Sequence, residues 1–137
     1  MTILAEFQPA TLNLLAAVLF GSVVGMERQA RHRMAGVRTN ALVALGAASF
    51  VTFAALFPQD SSPTRVAAQI VSGIGFLGAG IIFRDGLNVL GLNTAATLWC
   101  SAAIGMFCGA GAVIQAATLT GILLVVNLFL RPVVNLF

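Results

Sequence analysis

Thr94 to Leu130 reads TAATLWCSAAIGMFCGAGAVIQAATLTGILLVVNLFL, 37 positions without one charged side chain. As a single helix it would be about 55 Å long, against roughly 30 Å of hydrocarbon in a bilayer. It must therefore cross twice, and Gly109-Ala110-Gly111 is the one plausible turn within it. Working outward toward the N terminus, the same length rule selects apolar stretches at 9–26, 39–57 and 66–83, beside 92–108 and 112–130. The expected fold is all-α: a polytopic membrane helix bundle with five transmembrane helices, residues 1–137 forming a single transmembrane domain.

Composition excludes a soluble fold. The chain is 59% hydrophobic and 8% charged, where soluble domains carry roughly 25% charge, and its mean hydropathy is +1.01. A net charge of +3 does not point to nucleic acid, because all seven basic residues are Arg and four of them crowd one loop. A nucleic-acid binder spreads its basic face over a folded surface. Cys100 and Cys108 fall two turns apart on one expected helix, about 12 Å between Cα atoms, too far for a disulfide. They read as small packing residues. Residues 1–8 carry Glu6 and no positive charge, which argues against a cleaved signal peptide.

The arginines orient the bundle. Arg28, Arg31 and Arg33, with Arg38 at the edge, place the first loop in the cytoplasm. The second loop, 58–65, balances Asp60 against Arg65 among Pro58, Ser61, Ser62 and Pro63, as an outer turn does. Alternation then returns the 84–91 loop to the cytoplasm, puts the Gly109 turn outside and Arg131 inside. The N terminus is expected outside and the C terminus in the cytoplasm. Glu27, Arg28, Arg38, Arg84, Asp85, Asn88 and Asn93 thereby gather at one membrane face. Loops this short leave no room for an extramembrane enzyme. His32, the single histidine, lies in a basic loop with no triad or metal partner at ligand spacing.

Gly73, Gly75 and Gly78 match G-x-G-x-x-G, but that fingerprint works as a strand-to-helix turn in a soluble unit, and here it lies mid-span. With Gly80 it reads either as close helix packing or as a span broken at the glycines to free carbonyls for a cavity. Two further pairs, Gly21 with Gly25 and Gly105 with Gly109, have the spacing that lets helices meet backbone to backbone, within one subunit or between copies. Asn93, Thr97 and Ser101 recur every four residues beside Thr94, either as hydroxyls bonded back to their own helix or as a polar lining. Asp85 and Glu27 either pair with Arg84, Arg28 and Arg38 or, with Asn88, Asn93 and Thr94, supply oxygens to Mg²⁺. Trp99, at mid-span, calls for an indole N–H partner inside the bundle.

GSVVGMERQARHRMAGVRTNALVALGA (Gly21–Ala47), TRVAAQIVSGIGFLGAGIIFRDG (Thr64–Gly86) and NVLGLNTAATLWCSAAIGM (Asn88–Met106) resemble, in order, the MgtC/SapB family of bacterial inner-membrane proteins. The resemblance implies a five-helix domain in the bacterial inner membrane and a link to magnesium homeostasis and growth at low magnesium. It also implies, in some members, virulence through survival inside host cells. It implies regulation of other membrane proteins such as the ATP synthase, with Mg²⁺ or other small-solute transport through a cytoplasmic-face cavity as the alternative. Partners are then the lipid bilayer, other membrane proteins and a second copy in a dimer. Positions matching the family motif are Glu27, Arg28, Arg38, Asp85, Asn88, Asn93, Thr94, Trp99 and Cys100. Asp85 stands where glutamate is common, and Leu90 where a basic residue is frequent. Many relatives continue into a cytoplasmic C-terminal domain, which is expected to be absent from a chain ending at Phe137.

Overall fold

The computed structural model describes residues 2–59 and 62–136, so Asp60 and Ser61 of the expected outer turn lie outside the described residues. Five helices follow one another: α1 (Thr2–Ala30), α2 (Val37–Ala55), α3 (Pro63–Ile81), α4 (Leu92–Gly109) and α5 (Val113–Val134). Each contains a segment long and apolar enough to cross a membrane, namely Gln8–Ala30, Val37–Ala55, Thr64–Ile81, Leu92–Gly109 and Val113–Val134. The uncharged stretch does turn at its glycines. Helix α4 stops at Gly109, and Gly111 takes the left-handed conformation, with φ +80°, that reverses the chain into α5.

Helix α4 is the hub and packs against all four other helices. Its buried residues divide the core in two. Ile104 and Cys108 join Ala17, Val24, Ala44, Ala48, Ala116 and Leu123, while Leu98 and Ala102 join Ala47, Ile70 and Ile74. Much of this core is alanine, which brings backbones close. A methyl group added at Gly105 would overlap the Ala44 carbonyl, and one at Gly109 would stand 2.5 Å from the Ala48 carbonyl oxygen. On the other side of α2, a methyl at Gly21 would lie 2.7 Å from the Asn40 carbonyl oxygen, and one at Gly25 would overlap Val37. Both Gly-xxx-Gly pairs are therefore spent inside the subunit, clamping α2 between α1 and α4.

The glycine-dense helix behaves differently from the packing expected of it. Helix α3 runs unbroken to Ile81, so no carbonyls are freed by a break. An added methyl at Gly73, Gly75 or Gly80 would meet nothing within 4 Å, and one at Gly78 would make ordinary contact with Ala95. Among these four glycines, only Gly78 lies against a neighbour within the chain.

The expected third loop is a β-hairpin. Strands β1 (Phe83–Asp85) and β2 (Asn88–Leu90) pair antiparallel with Arg84 opposite Val89 and Asp85 opposite Asn88, leaving Gly86 and Leu87 as the turn. Gly86, at φ +62°, supplies the positive φ that such a two-residue loop requires. At the base of the hairpin Gly91 has φ +88° and sits so close to the Ile81 carbonyl that no side chain fits there. This contact returns the chain directly into α4.

Candidate functional site at one end of the bundle

The end of α1, the start of α2, the hairpin, the start of α4 and the end of α5 meet at one end of the bundle. Hydrogen bonds of two buried side chains, Arg28 and Asn40, hold α1, α2 and α4 together there. Arg28, in the last turn of α1, is 6% exposed, and its Nη2 donates to Thr94 Oγ1 in the first turn of α4 at 2.6 Å. Its Nε is buried without a partner among the described residues. Asn40, fully buried near the start of α2, donates through Nδ2 to the Ala35 and Gly36 carbonyls at 2.6 and 3.0 Å. Its Oδ1 accepts from Ser101 Oγ at 2.7 Å. The Arg28 bond ties α1 to α4, and the three bonds of Asn40 tie both α4 and the preceding loop to α2. In that loop His32 and Ala35 adopt positive φ, and the Asn40 amide is what holds its carbonyls in place.

The carboxylates are partnered otherwise than expected. Glu27 Oε1 lies 3.3 Å from Arg31 Nε, one helical turn on, and Asn127 Nδ2 of α5 donates to Glu27 Oε2 at 3.5 Å. Arg84 does not neutralise Asp85. Its Nε donates to the Gly86 carbonyl at 3.0 Å within the hairpin. Arg28 is bonded to Thr94, and Asp85 has no ion pair among the described residues. Pairing fails because Asp85 stands on an exposed strand while the Arg28 guanidinium is turned into the bundle. Among the described residues, no three His, Cys, Asp or Glu side chains group as a metal would require.

The expected polar stripe comes apart. Thr97 Oγ1 donates back to the Asn93 carbonyl at 2.8 Å, and Ser101 crosses to Asn40, whereas the Asn93 side chain is exposed. Steps of four residues advance about 40° around a helix, so from 93 to 101 the row turns by about 80°, from the surface into the core. Trp99 is 57% exposed rather than partnered in the interior. It lies two residues from buried Thr97, on the opposite side of α4. Cys100 is half-buried and Cys108 fully buried, both as free thiols. Asp85, Asn88, Asn93 and Trp99 thus form an outward-facing set, while Arg28, Thr94 and Thr97 face inward. Asn40 was not among the residues singled out by sequence, although an amide inside an apolar span is itself a signal.

A profile of the MgtC family matches residues 14–136. Proteins named Protein MgtC from Brucella abortus (strain 2308) and Brucella suis biovar 1 (strain 1330) are each 66% identical over 122 residues, 89% of this chain and 51% of theirs. A Protein MgtC from Salmonella typhimurium (strain LT2) is 61% identical over 123 residues, 90% of this chain and 53% of its own. The chain spans about half the length of these relatives. No solved structure matches it. With the profile covering all but the first turns of the bundle, and identity this high along it, the chain belongs to the MgtC family.

Proposed function

We propose that this protein serves growth at low magnesium by contacting other membrane proteins, the ATP synthase among the candidates, rather than by conducting ions. One observation carries the reading. Of the residues matching the family motif, Asp85, Asn88, Asn93 and Trp99 stand exposed on the hairpin and the outer side of α4. A conducting path would need polar side chains turned inward and left available to an ion. Here Arg28, Thr94, Thr97, Asn40 and Ser101 engage one another, their own helix backbone or the loop before α2, and among the described residues Arg28 Nε alone of their buried polar atoms is left without a partner. An outward amide at the membrane boundary and an outward indole deeper in the span suit partner helices, which take the ring by packing and the amide by hydrogen bonding.

Two measurements test the reading together. Asn93→Ala and Trp99→Ala are expected to keep the helical content and thermal stability of the parent chain while abolishing rescue of a low-magnesium growth defect. In liposomes, parent and Asp85→Asn protein are expected to show the same absence of Mg²⁺ flux. Metal-dependent flux that Asp85→Asn and Asn93→Ala both abolish would establish the transporter reading instead.

A further inference from the structure

Between α2 and α3 the molecule leaves a long groove of about 1000 Å³, open along its length. Gly46 of α2 and Gly73 of α3 keep it wide, since a methyl group at either would touch nothing within 4 Å. Its walls are almost wholly apolar. Arg38 stands at one end, in the first turn of α2, and Arg65 at the other, in the first turn of the antiparallel α3. Among the described residues no carboxylate lines the groove. Among the described residues neither arginine has an ion pair.

We propose that this groove is a phospholipid site, with one acyl chain lying along Gly46 and Gly73 and the lipid phosphate held at the Arg38 end. Charge decides the occupant. An apolar helix from another protein or a second copy would cover two arginines without bringing them an anion, leaving both charges desolvated and unpaired. A phospholipid supplies the chain and the anion in one molecule, and both ends of a membrane-spanning groove lie at the level of the phosphates. The Arg38 end is the better furnished. Thr39 lines it with a hydroxyl, and although Val37 N–H donates to Gln29 Oε1 at 3.4 Å, the N-cap residue Gly36 has no side chain to cap the rest of the first turn of α2. At the Arg65 end, α3 opens with Pro63, which has no N–H to offer.

The test is native mass spectrometry of the purified full chain, delipidated and titrated with phosphatidylglycerol or with phosphatidylcholine of the same acyl chains. The parent chain is expected to retain one phosphatidylglycerol in preference to phosphatidylcholine. Arg38→Gln should weaken phosphatidylglycerol retention roughly tenfold, the loss of one charge-assisted contact, and erase the preference. Gly46→Leu should expel both lipids, and circular dichroism should find its helices intact, because the new side chain enters empty space. Equal retention of the two lipids, unchanged by Arg38→Gln, would overturn the proposal. So would efficient disulfide cross-linking between copies through Gly46→Cys, which would make a second chain the occupant.

Discussion

Arg28 carries a full charge in a site 6% exposed, and its one side-chain hydrogen bond goes to Thr94. Removing one member of such a buried pair costs more than removing both, because the survivor keeps its desolvation penalty. Thr94→Val is therefore expected to destabilise the bundle by about 1–3 kcal/mol. The double variant Arg28→Met with Thr94→Val should return near the parent value when unfolding is followed in detergent. A double variant no better than the single would show that the guanidinium has another essential contact. Asn40 and Ser101 call for a different magnitude, since hydrogen bonds between membrane helices are modest. A double-mutant cycle with alanine at both positions should give a coupling of about 0.6 kcal/mol, at most about 1.7. The Arg28 and Thr94 positions were visible in the sequence as members of a polar cluster. Their pairing was not, because Arg28 had five acidic, amide or hydroxyl candidates at the same membrane level: Glu27, Asp85, Asn88, Asn93 and Thr94.

At the scale of elements, glycines in neighbouring spans do opposite things. Gly105 lets α4 touch the Ala44 backbone of α2, so Gly105→Ala must push two helices apart and should cost about 1–3 kcal/mol. Gly73 has nothing near it, so Gly73→Ala should stabilise α3 by about 0.5–1 kcal/mol through reduced backbone entropy. Parallel denaturation of the two variants separates these cases, and a destabilised Gly73→Ala would mean that α3 is packed by something outside this chain. The Gly-xxx-Gly spacing was legible because it places both residues on one side of a helix. The run from Gly73 to Gly80 was misleading, because glycine density reports backbone permissiveness without saying whether a neighbour uses it. The hairpin was equally hidden, being too short and too exposed to leave an alternating apolar pattern.

For the molecule as a whole, the arginine distribution sets the orientation to be tested. Ser62→Cys should react with an impermeant thiol reagent in intact cells, and His32→Cys only after the membrane is opened. The native thiols compete little, since Cys108 is buried and Cys100 half-buried. Labelling in the reverse order would invert the bundle and move Arg28, Asn40 and the hairpin to the other side.

The number of membrane crossings, their approximate ends and the gathering of polar residues at one end of the bundle follow from sequence alone. Crossing about 30 Å of hydrocarbon is a matter of length and composition, and turns must fall where apolar runs exceed that length. Which side of each helix faces inward was decided only by the tertiary structure. In water, an apolar stripe marks the core, but lipid tails are as apolar as the core, so residues such as Leu98, which is buried, and Leu92, which is exposed, carry no distinguishing mark. Packing chose by shape. Alanines and four glycines brought α1, α2 and α4 into backbone contact, and that choice turned Trp99 and Asn93 outward and closed Arg28 on Thr94.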